Sequence, residues 1–376
     1  MSFNSTFRLF ALITNIAGIC NAAISTTCTA LLQKDGSICL NTPYGTETIT
    51  EPVLIDLIKS KPTLRLKSVY LSGISALVIP SQPKRTRLDH SAGVLALLRK
   101  HKRPLLEQVA GLAHDLSHGV FSHTLDFVFE NPNQQDESFE SYIATTELPN
   151  ILAKYNIKPH EINILKQQFP ALKQKAPNIC ADILDGILGD CLETEFLKQD
   201  DLQTIMKALE FDGQNWFFTS QAAARRLGDA SLYTVGKIYG SRANYMAYYW
   251  TAEALKKAAE QNIISFNDMR KGTDEKTWAR LKKINNKAIQ ELVSQVENVE
   301  SITLPGTIGH HDILSSTKFR CVDPWVKTQN GLKRLTQLDK SFKSEFKKLK
   351  NKLTKGLPIL LAQKTGAIDQ TQIFMA

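Results

Sequence analysis

The stretch RLDHSAGVLALLRKHKRPLLEQVAGLAHDLSHGVFSHTLDFVF, residues 87–129, decides the fold of this chain. Four apolar side chains in it follow one another at spacings of four, three and four residues: Leu105, Val109, Leu112 and Leu116. At about 100° per residue, this spacing puts all four on one face of a helix. We therefore predict a helix over residues 104–118 that turns this face toward a hydrophobic core.

The opposite side of the predicted helix carries a different kind of residue. His114 lies there, with His118 one turn further on, Asp115 near the edge, and only Ala110 and Gly111 beside them. A solvated face would carry Lys, Glu or Gln, so small residues next to His and Asp indicate close packing around a polar group. Imidazole and carboxylate together bind divalent transition metals. The alternative is a pair of ordinary core or surface histidines, which does not explain the His-Asp doublet.

A second motif, ADILDGILGDCLE at residues 181–193, is also two-sided. Its polar helix face carries Asp182, Asp185, Gly186, Gly189 and Glu193. Carboxylates beside glycines indicate the close approach of a ligand, whereas an acidic solvated face is the alternative.

A metal held by such side chains would make water a nucleophile near neutral pH and would polarise a phosphoryl oxygen. Three further groups of the first stretch are then candidates for proton transfer to the leaving oxygen, namely His118, His123 and Asp126. The basic run at residues 84–87, directly before His90, could neutralise phosphate charge.

These residues resemble the HD-domain metal-dependent phosphohydrolases. RLDHSAGV followed by GLAHDLSHGVFSHTLD is similar to the deoxynucleoside triphosphate triphosphohydrolase-like branch, and the similarity extends over residues 61–257. The resemblance implies a mainly α fold, an HD-domain helical bundle, and the sequence pattern adds a small mixed α/β part at the C-terminus. It also implies one divalent transition metal, Mn, Fe or Zn, with Mg as an additional ion.

The resemblance assigns roles to ten positions. The implied metal ligands are His90, His114, Asp115 and Asp182. The implied catalytic residues near the scissile phosphate are His118, His123 and Asp126. The implied substrate contacts are Arg87, Asp190, on a sugar hydroxyl, and Arg242, on a phosphate.

Four positions depart from the family pattern. Phe139 stands where a second catalytic His is expected, and Gly186 stands where an aromatic residue packs near the sugar. Ile183 replaces a Lys, and Met246 replaces a His. Because the implied metal ligands are all present while several of the triphosphate and sugar contacts are replaced, we expect metal-dependent hydrolysis of a phosphoester, in a nucleotide or related phosphate compound, rather than that branch's triphosphate reaction.

Two other functions stay open. The first is a catalytically impaired nucleotide- or nucleic-acid-binding HD protein, which the departures and a net charge of +9, from 46 Lys and Arg against 37 Asp and Glu, both favour. The second is a zinc metallopeptidase, because HDLSH at residues 114–118 has the H-x-x-x-H spacing. In that case Asp115 would stand where the peptidases have their Glu base, and His90 would have no role.

The first 23 residues, MSFNSTFRLFALITNIAGICNAA, have the order of a secretory signal: a basic residue, a short apolar run and small residues. The run is too short for a stable membrane span, and a buried N-terminal helix is the alternative. We expect an exported protein, periplasmic or secreted, if this segment is a signal, and a cytoplasmic one otherwise. In an exported chain, Cys28 and Cys39 could pair as a disulfide.

The expected organisation is a signal at 1–23, an N-terminal extension at 24–50, an HD phosphohydrolase domain at 51–300 and a small mixed tail with a basic helix at 301–376. Besides the helix at 104–118, the pattern predicts helices at 90–101, 137–155, 160–168, 178–193, 200–211, 219–262 and 274–298. The expected partner is a phosphorylated small molecule, and a homo-oligomer is compatible with the sequence.

Overall fold

Helices build most of the structure, which confirms the mainly α class predicted from the sequence. The computed structural model describes residues 28–131, 134–166, 168–315 and 318–362. The predicted signal at 1–23 lies outside the described residues. Within the described ranges, no helix combines the length and the apolar character that crossing a membrane requires.

The helices fall into two groups along the chain. The first group is α1 (Pro52–Lys59), α2 (Lys61–Arg65), α3 (Ser75–Val78), α4 (Arg87–Lys100), α5 (Leu105–Ala113), α6 (Thr124–Phe129), α7 (Gln134–Glu137), α8 (Phe139–Ile143), α9 (Leu148–Ala153), α10 (Ala181–Glu193) and α11 (Gln199–Ala208). The second is α12 (Gln221–Tyr233), α13 (Arg242–Glu260), α14 (Phe266–Lys271), α15 (Asp274–Leu281), α16 (Lys287–Glu297), α17 (Val299–Ile302), α18 (Leu335–Leu338) and α19 (Lys340–Thr354). A π-helical turn, Thr234–Tyr239, joins α12 to α13.

Short strands accompany the helices. In chain order they are β1 (Thr29–Leu32), β2 (Ile38–Thr42), β3 (Gly45–Ile49), β4 (Leu209–Phe211), β5 (Trp216–Phe218), β6 (Thr303–Pro305), β7 (Ile313–Ser315), β8 (Trp325–Thr328), β9 (Gly331–Arg334) and β10 (Leu357–Leu361). They form three sheets, ordered β1-β2-β3, β6-β10-β7 and β4-β5-β8-β9. The parallel pairing of β5 with β8 joins the C-terminal part to the helical part.

Helix α4 lies at the centre of the helical part. It begins with a capping box, in which Thr86 Oγ1 accepts from the Asp89 amide (3.1 Å) and Asp89 Oδ2 accepts from the Thr86 amide (3.0 Å). Every residue from Arg87 to Leu98 is buried. A helix buried all round is a core element, so its charged side chains need partners inside the protein.

Helix α10 packs closely on α4, and two glycines allow this. A Cβ at Gly93 would lie 1.9 Å from Asp185 Oδ1, and a Cβ at Gly189 would lie 1.9 Å from an Arg85 nitrogen. These glycines therefore make room for the carboxylate and the guanidinium, which pair at 2.7 Å with almost no exposure. Of the two glycines in the 181–193 motif, Gly189 thus serves the packing of the protein itself, whereas Gly186 faces open space.

Two large hydrophobic clusters lie on either side of this centre. One surrounds α4, α5, α10 and α12 and contains Leu95 and Leu188. The other surrounds α13 and α16 and contains Trp250. In the first cluster, the ring of Phe342 from α19 packs so closely on α12 that a Cβ at Gly228 would come within 2.6 Å of it.

The helix predicted over 104–118 is shorter than expected. It ends at Ala113, and Leu105 at its start is 42% exposed rather than buried. The cause is local: the His114 side chain donates to the Gly111 carbonyl, which the next helical amide would otherwise occupy. The predicted helices at 137–155, 219–262 and 274–298 are likewise broken into shorter segments, and the one predicted at 160–168 is wrong, because its described residues form only a 3-10 turn at Pro159–Ile162.

The suggested pairing of Cys28 with Cys39 is wrong. Cys28 is a free, buried thiol, whereas Cys39 is disulfide-bonded. Cys28 is held instead by α4, because its amide donates to Asp89 Oδ1 (3.0 Å) and its thiol donates to the Asp89 carbonyl.

The two glycines of α10 allow a matched stability test. Gly189→Ala should destabilise the chain by about 1–3 kcal/mol, because the added methyl overpacks against the Arg85 guanidinium. Gly186→Ala should stabilise it by about 0.5–1 kcal/mol, because alanine is the better helix former and its methyl meets nothing. Urea unfolding of the metal-free proteins measures both effects, and equal shifts would contradict the packing described here.

Candidate metal centre

Four side chains from three separate segments meet beside α4. His90 lies in the first turns of α4, His114 and Asp115 follow directly after α5, and Asp182 lies in the first turn of α10. The ligand atoms of His90, His114 and Asp115 all lie within 4.8 Å of one another, and all three residues are buried. The packing of α4 against α5 and α10 therefore brings these groups together.

The distances describe a compact set of nitrogen and oxygen donors. The Nε2 atoms of His90 and His114 are 3.2 Å apart. Asp182 Oδ1 lies 3.2 Å from the first and 3.7 Å from the second. Asp115 Oδ1 lies 3.5 Å from His114 Nε2, and its Oδ2 lies 3.8 Å from His90 Nε2.

A hydrogen bond at the other ring nitrogen orients each imidazole. His114 Nδ1 donates to the Gly111 carbonyl (2.7 Å), and His90 Nδ1 donates to Asp185 Oδ2 (2.7 Å). In the neutral rings, both Nε2 lone pairs then face each other at 3.2 Å. That contact is unfavourable unless one ring carries a second proton or a metal ion lies between them, and a divalent metal would satisfy both nitrogens at once.

The electrostatic surroundings of His90 also favour a cation. Burial by itself lowers the pKa of His90, but hydrogen bonds to Asp182 and Asp185 outweigh it and raise the pKa to about 10. The field that holds a proton on this ring would equally attract a metal ion.

The two carboxylates of the set are each fixed by a cation. Arg87 donates to Asp115 Oδ2 (2.6 Å), and Lys173 donates to Asp182 Oδ2 (2.7 Å). Burial raises the pKa of both aspartates, but Arg87 and Lys173 respectively outweigh it and hold the pKa well below the usual range. Both therefore stay charged, and their Oδ1 atoms face the histidines.

His118 lies next to this set. Its Nε2 is 3.3 Å from Asp115 Oδ1 and 3.7 Å from Asp136 Oδ1. Burial and the charge of Arg87 lower the pKa of His118 to about 4, so the ring is neutral near pH 7. Its buried Nδ1 has no hydrogen-bond partner among the described residues.

His123 and Asp126 form a second pair nearby. His123 Nδ1 lies 2.9 Å from Asp126 Oδ2, and Gln135 donates to the other oxygen of that carboxylate (3.2 Å). The rings of His118 and His123 meet edge to face with centroids 5.6 Å apart. The structure thus brings all three candidate proton-transfer groups to one region.

The candidate substrate contacts are more dispersed. Arg87 lies on Asp115, and its buried NH2 group has no hydrogen-bond partner within the described ranges. Asp190 Oδ2 accepts from Tyr239 (2.5 Å), and Arg242 Nε donates to the Pro358 carbonyl of β10 (2.8 Å). The structure therefore does not bring Asp190 and Arg242 into contact with the four-residue set.

The basic run predicted phosphate contacts at residues 84–87, but the Arg85 side chain is not available for one. It is 1% exposed and lies between Asp185 (2.7 Å) and Asp190 (3.8 Å). Phe139, which stands where a second catalytic His is expected, is a core residue, and Asp136 is a side chain that reaches toward His118.

Sequence reasoning missed several groups of the site. The sequence places Asp185 on the same helix face as Asp182 but indicates no role for it, and the structure shows that it orients His90. Lys173 and Asp136 lie in polar segments with no periodic pattern, and only the folded chain shows that they approach the histidines.

Comparison with known proteins gives two extensive sequence relatives. The chain is 30% identical over 314 residues to the uncharacterized protein YdhJ of Bacillus subtilis, covering 81% of this chain and 95% of the relative. It is 29% identical over 311 residues to the metal-dependent phosphohydrolase cns2 of Cordyceps militaris, covering 78% and 86%. No family model matches the sequence.

More limited similarities point the same way. The mouse deoxynucleoside triphosphate triphosphohydrolase SAMHD1 is 29% identical over 154 residues, which are 34% of this chain and 23% of that protein. The crystal structure of a hypothetical protein from Aquifex aeolicus superposes with a TM-score of 0.61 at 19% identity, covering 84% of this chain and 93% of that one. This last likeness establishes the fold alone.

Removing one proposed ligand tests the metal centre directly. Asp182→Asn should weaken the binding of Mn²⁺ or Zn²⁺ more than about tenfold, since even the outer partners of metal ligands are worth about 10–100-fold. Calorimetric titration of the chelator-treated protein measures this. Asp56→Asn is the matched control, because that carboxylate also binds a lysine but lies on α1. Equal affinity in the two variants would remove Asp182 from the ligand set.

Proposed function

Because this chain belongs to the HD-domain metal-dependent phosphohydrolases, we propose that it hydrolyses a phosphoester of a nucleotide or related phosphate compound with water activated at the described centre. The proposed metal ligands are His90, His114, Asp115 and Asp182. The observation that carries the proposal is the pair of imidazole nitrogens 3.2 Å apart, each with its other nitrogen already bonded and with a carboxylate oxygen alongside.

The donor set favours a particular class of ion. Two imidazole nitrogens with carboxylate oxygens suit Mn, Fe or Zn, whereas Mg prefers oxygen ligands alone and would be an additional ion. When bound, the metal supplies a nucleophilic water near neutral pH and polarises the phosphoryl oxygen.

His118 is the proposed proton carrier. Its ring is neutral near pH 7, and its buried Nδ1 is free of partners among the described residues. The Asp136 carboxylate, 3.7 Å from Nε2, would stabilise the ring once it accepts a proton. His118 can thus take a proton from the attacking water or return one to the leaving oxygen. His123 and Asp126 form a second such pair.

Arg87 is the proposed phosphate contact. Two of its nitrogens are fixed by Asp115 (2.6 Å) and by Ser122 Oγ (2.8 Å), which leaves the buried NH2 group without a partner within the described ranges. A guanidinium held in this way presents its remaining donors in a fixed direction, and a phosphate oxygen would complete them.

The names of the relatives, together with the positions that depart from the family pattern, indicate the class of substrate. SAMHD1 is named for deoxynucleoside triphosphates, and cns2 is named only as a metal-dependent phosphohydrolase. Residues expected for sugar and triphosphate contact are replaced here at Ile183, Gly186 and Met246. We therefore propose nucleotide-like phosphoesters in general. The zinc peptidase hypothesis is disfavoured, because α5 ends before His114 and the two histidines do not share one helix.

The proposal is tested by a substrate screen with the purified chain. Nucleoside mono-, di- and triphosphates and bis(4-nitrophenyl) phosphate are incubated with Mn²⁺, Fe²⁺ or Zn²⁺, with and without Mg²⁺. Release of phosphate, pyrophosphate or nitrophenol is expected, and it should be lost with EDTA and in Asp115→Asn. Tight binding without turnover for every metal would instead support the impaired binding protein, and cleavage of casein would support the peptidase.

Once a substrate is found, His118→Gln should lower kcat by about 10²–10⁴-fold, the range typical of positioned proton carriers, with little change in metal affinity. His311→Gln serves as the control, because His311 is partly exposed and donates to the Thr307 carbonyl near the C-terminal sheet. A kcat for His118→Gln equal to that of this control would exclude the proposed proton transfer.

A further inference from the structure

We propose that Tyr44, at the tip of the N-terminal β2–β3 hairpin, is a positioning residue that sets the metal affinity of the centre through Asp185 and His90. This inference rests on the proposed function, because it assigns His90 as a metal ligand. It makes the N-terminal extension a working part of the centre rather than an appendage.

A continuous chain of hydrogen bonds connects the hairpin to the ligand. The Tyr44 hydroxyl donates to Asp185 Oδ1 (2.7 Å). The other oxygen of that carboxylate accepts from His90 Nδ1 (2.7 Å) and from Arg85 (2.7 Å). Tyr44 is therefore one carboxylate away from the ring whose Nε2 faces His114.

The hairpin holds Tyr44 in a fixed place. Strands β2 and β3 pair from Ile38–Ile49 to Thr42–Gly45, so the turn contains only Pro43 and Tyr44. Gly45 has φ +124°, a conformation that favours glycine, and the Tyr44 amide donates to Thr42 Oγ1 (3.3 Å). A turn this short leaves the tyrosine little freedom, so its hydroxyl is presented to Asp185 by the backbone.

Asp185 has no space in which to replace a lost donor. It is fully buried, and its Oδ1 would lie 1.9 Å from a Cβ at Gly93, so it rests directly against α4. Among the described residues, Tyr44 is the side chain that donates to this oxygen. Without the hydroxyl, a buried carboxylate oxygen is left unsatisfied, and the carboxylate must move or share charge differently with His90.

The N-terminal extension also contacts α4 next to the ligand. The Cys28 amide donates to Asp89 Oδ1 (3.0 Å), one residue before His90. The extension thus reaches both sides of His90, the helix start through Asp89 and the ring through Asp185. A chain lacking it would lose two constraints on the same ligand.

The expected effect is moderate. Direct partners of metal ligands are worth about 10–100-fold in metal affinity, and Tyr44 acts one step further out, so we expect a loss of about three- to tenfold. The effect should appear in the dissociation constant of the metal and not in the fold.

The experiment compares two tyrosine variants of the full chain. Tyr44→Phe keeps the ring and removes the hydroxyl, and Tyr155→Phe is the matched control because that half-buried tyrosine also donates to a carboxylate, Asp56 (2.9 Å). Metal-free proteins are titrated with Mn²⁺ and with Zn²⁺ against a chelating dye. Weaker binding in Tyr44→Phe alone is expected; affinities that match in the two variants overturn the inference.

Activity supplies a readout that a general structural defect would not give. In Tyr44→Phe, kcat at limiting metal should fall and KM for the substrate should stay constant, and saturating metal should restore kcat. A deficit that persists at saturating metal overturns the inference. If the unaltered chain itself binds no metal or hydrolyses nothing, the proposed function fails instead, so the two failures are distinguishable.

A measurement on the unaltered chain covers the case in which the variant does not fold. Coupling is reciprocal, so metal binding should slow amide hydrogen exchange in the β2–β3 hairpin. The β8–β9 hairpin is the internal control, since its described residues share no hydrogen bond with His90 or Asp185. Protection of both hairpins to the same extent, or of neither, overturns the inference.

Discussion

Two imidazole nitrogens that face each other at 3.2 Å set the requirements for the centre of this molecule. Because His114 and His90 have each committed the other ring nitrogen to an acceptor, neither neutral ring can donate to its neighbour. Such a pair is held in place by surroundings that resist its separation, by a proton on one of the rings, or by a metal ion between the two. The burial of α4 and the tight packing of α10 at Gly93 supply that resistance, so the fold keeps the rings together before any ion binds.

The charged groups around the histidines occur in pairs because most of them are buried. Arg87 with Asp115 and Arg85 with Asp185 are both nearly unexposed. A buried ion pair contributes little net stability, since desolvation offsets most of the attraction, but losing one partner costs about 3–5 kcal/mol. Orientation is therefore the better physical reason for these pairs. Each cation occupies one carboxylate oxygen and leaves the other toward an imidazole or toward Tyr44.

The sequence predicted the part of the site that local pattern determines. The His114-Asp115 doublet, and Asp182 at the start of a two-sided helix, lie within short, periodic stretches, and the resemblance joined them to His90. The helix over 104–118 was predicted too long, because periodicity does not show that a His side chain would take the Gly111 carbonyl. Asp136 lies in the short helix α7, and Tyr44 lies in a hairpin turn. Their approach depends on tertiary packing, for which a single sequence carries no local signal.

The departures from the family pattern weigh less against catalysis than they do in the sequence alone. Phe139 belongs to the hydrophobic core, and Asp136 supplies a titratable group beside His118. Arg87 NH2 and His118 Nδ1 are buried without hydrogen-bond partners among the described residues. Each unsatisfied buried polar group destabilises the folded protein by about 1–3 kcal/mol. Such groups occur at sites where a bound ligand completes the hydrogen bonds. A phosphoester offers an acceptor to the guanidinium and a proton-transfer partner to the imidazole, so a substrate bound at this centre would complete the bonding of both groups.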